Sequence, residues 1–255
     1  MAQLESKEPQ FSVKRSEYKN LGRVIQLSLS FLLLFSAFNT CQNLTSTVLA
    51  DDNLGSFGYY TLATLYLSLS VSAFLSSALL KKMGMYTCFF VGSLGHSSFV
   101  IASILPAYRY GFPGRNNFLQ ATPTIIATLL IAATFNGFGA GILWCALGNY
   151  ISECATPSTK GLYFGLFWFF YMMSMTLGSL MGAAMLGSGM NETYFYIILS
   201  AIALVANGSF LLIRKPLPKE VTAEMYESVL TNTAEVNEGA SNPNGLENTG
   251  GGPQI

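Results

Sequence analysis

Residues 24–44 read VIQLSLSFLLLFSAFNTCQNL, a run of 21 residues without Asp, Glu, Lys or Arg. About 20 predominantly apolar residues are enough for an α-helix to cross the hydrocarbon core of a bilayer. In hydrocarbon every backbone amide needs a partner within the protein, and a helix supplies one for each amide along its length. The run therefore predicts a transmembrane helix.

Five further uncharged apolar runs follow the first along the chain, at Gly58–Leu80, Met85–Leu105, Thr124–Leu147, Tyr163–Met185 and Tyr194–Ile213. None of them alternates in polarity as the short strands of a transmembrane barrel do. The whole chain is 51% hydrophobic and only 10% charged, whereas soluble proteins average about 25% charged residues. The sequence predicts an all-α polytopic membrane protein with six transmembrane helices.

The basic residues predict the orientation of these helices. If the N-terminus is cytoplasmic, eleven of the thirteen Lys and Arg residues lie on the cytoplasmic side, and only Arg109 and Arg115 lie outside. Short loops rich in Lys and Arg remain in the cytoplasm. We therefore expect both termini to be cytoplasmic.

Composition divides the chain into three parts. Residues 1–20 are polar and predict a cytoplasmic N-terminal segment, and residues 21–215 contain the six spans. From Pro216 to Ile255 the chain is rich in Pro, Glu, Asn, Ser and Gly, a composition that cannot bury a core. Residues 216–255 are therefore expected to form a disordered cytoplasmic tail.

Several classes of function are disfavoured by composition. The formal net charge is zero, and no basic patch with interleaved aromatic residues suggests nucleic-acid binding. The chain has one His and four Cys without metal-ligand spacing, so neither a metal site nor a cofactor is expected. No nucleophile or acid–base pair lies at membrane depth, and we expect no enzyme activity.

Polar residues on the first span form the first candidate site. Ser36, Asn39, Gln42 and Asn43 are spaced to share one face of a helix. Polar side chains at membrane depth face a bundle interior or a wet cavity. They either line a solute path or join neighbouring helices by hydrogen bonds, and the sequence leaves both interpretations open.

His96 and Asn136 are two further candidates for lining such a cavity. His96 lies near the middle of the third span and is the one titratable candidate within a span. An imidazole can exchange a proton near neutral pH, but a neutral His bonded to a backbone carbonyl is the alternative. Asn136 lies near the middle of the fourth span.

Two other motifs concern packing and modification. Three pairs of glycines four residues apart predict close helix packing, namely Gly137 with Gly141, Gly161 with Gly165, and Gly178 with Gly182. Asn43-Leu-Thr and Asn191-Glu-Thr match the N-glycosylation pattern on the predicted outer side. Because both lie at the membrane edge, only partial modification is expected.

Several of these stretches together resemble a known family. They are Phe31-Leu-Leu-Leu-Phe-Ser-Ala-Phe-Asn-Thr-Cys-Gln-Asn-Leu, Leu54-Gly-Ser-Phe-Gly-Tyr-Tyr, Gly139-Ala-Gly-Ile-Leu-Trp-Cys-Ala-Leu-Gly-Asn-Tyr, Gly165-Leu-Phe-Trp and Ile213-Arg-Lys-Pro. In this order they are similar to the uncoordinated-ninety-three family, a divergent branch of the major facilitator superfamily. The resemblance covers Leu21–Pro216 and implies one six-span half of a twelve-span bundle.

The chain departs from the family pattern in two ways. Only the N-terminal half is present, so the chain is either a fragment or assembles with another half. In the superfamily the loop after the second span carries an acidic residue followed later by a basic pair, whereas here Lys81 and Met85–Tyr86 occupy those positions. This replacement puts the charge-relay role of that loop in doubt.

The resemblance implies a regulator or trafficking partner of an ion channel or receptor. A transporter module for a small solute or ion is the alternative. No intramembrane carboxylate is present in this half to couple transport to protons or sodium, which favours the regulator. The expected partners are the lipid bilayer and another membrane protein: a channel, a receptor or a second six-span half.

Overall fold

The computed structural model describes residues 18–49, 54–112 and 118–218, and these ranges contain helices and no strand. The helices are α1 (Leu21–Leu49), α2 (Phe57–Met83), α3 (Met85–Ala102), α4 (Ile104–Gly111), α5 (Thr122–Cys154), α6 (Lys160–Gly187) and α7 (Glu192–Leu211), with a 3-10 turn at Phe118–Gln120 before α5. Only residues 18–20 of the predicted N-terminal segment and 216–218 of the predicted tail are included. Those two predictions otherwise lie outside the described residues.

Six helical segments in the described part of the chain are long and apolar enough to cross a membrane. α3 and α4 together form the third of them. Each segment contains most of one predicted run, as α2 contains Gly58–Leu80. The prediction of an all-α polytopic membrane protein with six spans is confirmed.

The third span contains a break that the apolar run does not reveal. α3 ends at Ala102, and α4 begins at Ile104 after a single intervening residue. A continuous helix would need the N–H of Pro106 to bond the carbonyl of Ala102, four residues earlier. Proline has no N–H, and its ring interferes with that carbonyl. The proline therefore accounts for the interruption.

The predicted fourth span is shorter than the helix observed. The apolar run ends at Leu147, but α5 continues to Cys154. Tyr150 and Ile151 are fully buried in the main core, whereas Asn149 on another face is exposed. The apolar face thus continues past the first polar residues, and burial of this face stabilises the last two turns.

Glycines set the closest approach between α5 and α2. A Cβ atom on Gly137 would collide with the backbone carbonyl of Leu65, and one on Gly141 would lie 2.5 Å from the Ser72 hydroxyl. That hydroxyl donates a hydrogen bond to the carbonyl of Phe138. Small residues of this kind let two transmembrane helices bring their backbones together.

A similar contact joins α6 to α1. A Cβ atom on Gly178 would lie 2.6 Å from the carbonyl oxygen of Ser36, and Gly182 lies against Thr40. Around Gly161 and Gly165, by contrast, the described chain places no atom within 4 Å of an added Cβ. Two of the three predicted glycine pairs therefore lie at helix contacts, and the pair at the start of α6 does not.

An aromatic cluster fills the centre of the bundle. The ring of Phe31 on α1 lies between 5.1 and 6.5 Å, centroid to centroid, from five other rings. They belong to Phe35, Phe89, Trp144, Phe167 and Phe210, from α1, α3, α5, α6 and α7. Such ring pairs add about 0.5–1.5 kcal/mol each to the stability gained from burial alone.

A hydrogen-bonded clamp closes one end of the bundle. Asn20 Nδ2 donates to the carbonyls of Cys154 at 3.1 Å and Leu217 at 3.2 Å, and Asn20 Oδ1 accepts from the Leu217 N–H at 2.8 Å. The Tyr150 hydroxyl donates to the carbonyl of Arg214 at 2.7 Å. The start of α1, the end of α5 and the segment after α7 therefore meet at the same end.

Two helices, α2 and α6, are much less buried within the bundle than the other spans. In α2 and α6 only 17% of the apolar window is buried, against 44–61% in the other four spans. Leu67, Val71 and Phe74, which share one face of α2, are exposed, as are Phe169 and Met172 on α6. We call these five side chains the open face. Lipid or another membrane protein must cover them, because apolar surface is not left in water.

Candidate functional site

A pocket of about 170 Å³ lies within the bundle, and α1, α2, α3, α5 and α6 all contribute to it. Four of the five predicted cavity residues line it together: Asn39, Gln42, His96 and Asn136. They come from α1, α3 and α5, so the fold brings together side chains that are far apart in the sequence.

Asn136 is the most deeply buried polar group of the pocket. Its side chain is fully buried, and neither Oδ1 nor Nδ2 has a hydrogen-bond partner among the described residues. Gly137 and Gly139 follow it along α5, and they bring α2 and α3, respectively, close to α5. Burying an amide without partners costs on the order of 1–3 kcal/mol. Both the nitrogen and the oxygen of the Asn136 amide are thus left without a hydrogen bond to the described residues.

Asn39 and Gln42 lie one turn apart on α1. Asn39 is buried, and its Nδ2 finds no acceptor within the part of the chain that the structure describes. The Gln42 Nε2 donates to the Tyr66 hydroxyl of α2 at 3.1 Å. Gln42 therefore joins two helices, whereas Asn39 keeps an unused donor beside the pocket.

The His96 ring is packed between aromatic side chains. Its centroid lies 5.0 Å from that of Phe35 and 4.8 Å from that of Phe38. Nδ1 lies 2.9 Å from the carbonyl oxygen of Gly92. A carbonyl can only accept, so Nδ1 carries the proton and Nε2 of a neutral ring is an acceptor. The contact with the carbonyl of Gly92 is the hydrogen bond that the alternative interpretation of His96 requires.

Aromatic side chains form much of the remaining wall, and the polar motifs in the sequence did not indicate them. Trp144 of α5 contacts Tyr171 of α6 at a ring-centroid distance of 5.3 Å and stacks on Trp168 at 6.0 Å. Phe35 contacts both Trp144 and Tyr171. The spacing of Trp168 and Tyr171, three residues apart, was the available signal that both rings share one helix face.

The pocket contains no formal charge. Its polar lining consists of amides, hydroxyls, an indole and one imidazole, without Asp, Glu, Lys or Arg. In the described part of the chain, no group of three or more His, Cys, Asp or Glu residues could hold a metal ion. The pocket can thus donate and accept hydrogen bonds and stack on flat groups, but it offers no counter-ion.

Asn43 does not join the other predicted residues. It is exposed and lines a separate groove of about 300 Å³ between α1 and α6, together with Ser179 and Gly182. Asn43 follows Gln42 directly, and one residue is a rotation of about 100° around a helix. The prediction that Asn43 shares the cavity with Asn39 therefore differs from the structure. Its accessible amide remains a candidate for glycosylation.

Asn191, the other predicted glycosylation residue, is engaged at the opposite end of the bundle from the clamp. Its Oδ1 accepts from the Thr193 N–H at 2.9 Å and caps α7. Its Nδ2 donates to the carbonyl of Gly111 at 3.3 Å, and the buried Thr193 hydroxyl donates to that of Ala107. In the folded protein Asn191 and Thr193 of this motif therefore serve helix capping and packing.

Comparison with known proteins places the chain in a family. Residues 54–238 match the family described as "Ion channel regulatory protein UNC-93". The chain is 29% identical over 209 residues to the UNC93-like protein MFSD11 of Xenopus tropicalis, covering 78% of this chain and 43% of that relative. No solved structure matches it.

Two further relatives come from distant organisms. UNC93-like protein 3 of Arabidopsis thaliana is 28% identical over 64% of this chain and 32% of its own length. The putative potassium channel regulatory protein unc-93 of Caenorhabditis elegans is 29% identical over 58% of this chain and 17% of its own length. The chain thus spans less than half the length of these relatives. The family match covers well over half of the chain, and this protein belongs to the UNC-93 family.

Proposed function

We propose that this chain is a membrane subunit that regulates an ion channel by direct contact and performs no chemical reaction itself. The family description names an ion channel regulatory protein, and the nematode relative is named as a putative potassium channel regulator. These names support the proposal only indirectly, because the chain spans only part of the relatives' length. A channel of the potassium class is therefore the first partner to test.

The open face on α2 and α6 is the observation that carries this proposal. Helices that faced only lipid on one side would resemble α7, of which 44% of the apolar window is buried, whereas α2 and α6 reach only 17%. Phe74 alone is 89% exposed. A surface of this extent offers van der Waals contact to a neighbouring helix, which is the main attraction between proteins in lipid.

A transport module remains the second candidate, and the pocket favours it. Asn39 and Asn136 place unused hydrogen-bonding atoms inside the bundle, as a solute path requires. The uncharged lining offers no carboxylate to couple movement to protons or sodium. This candidate would accordingly be a uniporter of an uncharged solute.

If the protein regulates a channel through the open face, removing the large side chains of that face should abolish its effect on the channel current. In cells that express the protein naturally, deleting its gene should alter the potassium current, and the wild-type chain should restore it. Replacing Leu67, Val71 and Phe74 together by Ala should abolish the restoration at unchanged surface abundance, because the contact area is removed. Whole-cell recording measures the current, and surface biotinylation measures abundance.

The matched control uses exposed side chains of α7. Ile197, Leu204 and Leu211 are likewise exposed and seven residues apart, and their triple replacement by Ala should restore the current fully. Two results together would establish transport instead. Gene deletion would leave the current unchanged, and purified protein in liposomes would take up solute in a way that Asn39→Leu abolishes.

We also propose that the end closed by the clamp faces the cytoplasm. Lys19, Lys160, Arg214 and Lys215 belong to this end, and the positive-inside rule supports the orientation. In a chain whose four native Cys are replaced by Ser, Lys82→Cys should react with an impermeant maleimide only after permeabilisation. Phe118→Cys, on an exposed outer turn, should react in intact cells. The reverse pattern would invert the topology.

A further inference from the structure

A groove of about 200 Å³ lies where α3 begins and α7 ends, apart from the central pocket. Its lining combines apolar side chains with one cation: Tyr86, Phe210, Leu211, Ile213 and Lys215. We call it the basic groove. We propose that the basic groove binds one anionic phospholipid, with the lipid phosphate at Lys215 and an acyl chain against the apolar walls.

The end of the bundle that contains the basic groove is strongly positive. This is the end closed by the clamp, and within the described residues it carries seven cations and a single carboxylate, that of Glu153. The cations are Lys19, Arg23, Lys81, Lys82, Lys160, Arg214 and Lys215. Basic clusters at the end of a transmembrane bundle attract anionic lipids, and basic pockets between the helices bind their headgroups.

The charges around the groove itself favour an anion. Lys215 is exposed and forms no hydrogen bond or ion pair with the described residues. Arg23 of α1 and Glu153 of α5 are both electrostatic neighbours of the Tyr86 hydroxyl. Glu153 already accepts a hydrogen bond from Asn149 Nδ2 at 3.0 Å. Two cations against one carboxylate leave one net positive charge for a phosphate to neutralise.

The apolar walls and the depth of the groove favour a lipid over a soluble phosphate. The groove lies at the ends of two spans, where the headgroup region of a bilayer meets the hydrocarbon core. On α7, Leu204 and Leu211 are 52% and 64% exposed on one face. Gly208 lies between them, and a Cβ atom added there would meet no atom within 4 Å. An acyl chain therefore has an open path along α7, which a free phosphate would not use.

This site is independent of the proposed channel contact. The basic groove belongs to the ends of α3 and α7, whereas the open face consists of side chains on α2 and α6. Loss of lipid binding would leave the open face in place, and loss of the channel contact would leave the groove in place. The two proposals therefore fail separately.

The test compares three probes on the full chain in mild detergent. They are phosphatidylglycerol, which is anionic, phosphatidylcholine with the same acyl chains, and glycerol 3-phosphate, which has a phosphate and no chain. Native mass spectrometry resolves protein with one bound molecule and gives its dissociation constant. Phosphatidylglycerol should bind at least about fivefold more tightly than phosphatidylcholine, the effect of one unit of charge. Glycerol 3-phosphate should bind at least about tenfold more weakly than phosphatidylglycerol, because it buries no methylene groups.

Two charge reversals locate the phosphate. Lys215→Glu changes the charge beside the groove by two units and should weaken phosphatidylglycerol binding about 25-fold. Lys160→Glu is the matched control: it is also exposed at the same end and changes the net charge equally, but α6 contributes no residue to the groove. It should leave the affinity unchanged. Both side chains are exposed and unbonded to the described residues, so neither change should affect folding.

A third variant locates the acyl chain. Gly208→Phe fills the open space beside Leu211 without changing any charge. It should weaken the binding of both lipids about fourfold or more, since each methylene group displaced from the groove contributes about that factor. The binding of glycerol 3-phosphate should not change.

Four results would overturn the proposal. Equal affinity for the two lipids would mean that the groove does not recognise an anionic headgroup. Equal weakening by Lys215→Glu and Lys160→Glu would mean that the whole basic end attracts lipid without a site. Glycerol 3-phosphate that bound as tightly as phosphatidylglycerol would indicate a soluble phosphate as the ligand. Lipid binding that Gly208→Phe left unchanged would place the chain elsewhere.

Discussion

Gly137→Ala should destabilise the protein by about 3 kcal/mol, the upper part of the range for overpacked cores. Its Cβ would collide with the carbonyl of Leu65 and lie 2.8 Å from Cβ of Ser68. Both obstacles belong to the main chain or its first side-chain atom, so no rotamer change can make room. α2 would have to move away from α5, and the Ser72 bond to Phe138 would be lost with it.

Gly165→Ala is the matched control, because it is also a glycine in a transmembrane helix. The added Cβ at Gly165 would meet no atom of the described chain within 4 Å, so this variant should be unchanged or slightly more stable. Unfolding by SDS in mixed bicelles gives the free energy of both variants. Equal stability of the two would mean that the α2–α5 contact is not close in the folded protein.

Asn20→Ala should cost about 2–3 kcal/mol, because it removes three hydrogen bonds at once. Asn20 is buried and bonds the carbonyls of Cys154 and Leu217 and the N–H of Leu217. A methyl group can replace none of these bonds, and the buried carbonyl of Cys154 would lose this donor. The segment after α7 should then leave the end of the bundle, which limited proteolysis near Leu217 would detect as faster cleavage.

Gln26→Ala is the appropriate comparison for this clamp. Gln26 also holds the region after α7, but through a single exposed bond from Nε2 to the carbonyl of Leu212 at 2.7 Å. It should cost no more than about 1 kcal/mol and leave cleavage near Leu217 unchanged. If Asn20→Ala and Gln26→Ala behaved alike in both assays, the clamp would not hold the segment.

The spans could be predicted from the sequence because hydropathy is a local property. An apolar run such as Val24–Leu44 predicts a membrane span regardless of the helices against which it packs. The limits of the helices depend on neighbours. α5 extends to Cys154 because Tyr150 and Ile151 pack into the buried core formed with other helices. The sequence of α5 alone does not show which surface those residues will contact.

The candidate site was partly predictable for the same reason. Polar residues within apolar runs are conspicuous, and Asn39, Gln42, His96 and Asn136 were found in this way. The aromatic wall at Trp144 and Tyr171 was not predicted. Aromatic residues are common in membrane helices, and only the folded structure shows that these two side chains line the same pocket. Asn43 was misplaced because neighbouring residues diverge by about 100° around a helix.

The partners of α1 have a consequence for how the protein is made. Its main contacts within the described chain are with α6 and α7, although it is the first of the six spans to be synthesised. Leu49 and Lys160 are separated by about 110 residues, which a ribosome adds in roughly 6–22 s. During that interval the buried polar side chains of α1, Asn39 among them, have no native neighbours on that side. The first helix therefore remains in the bilayer without these contacts until α6 and α7 have been synthesised, and the packing of this six-span bundle is completed only then.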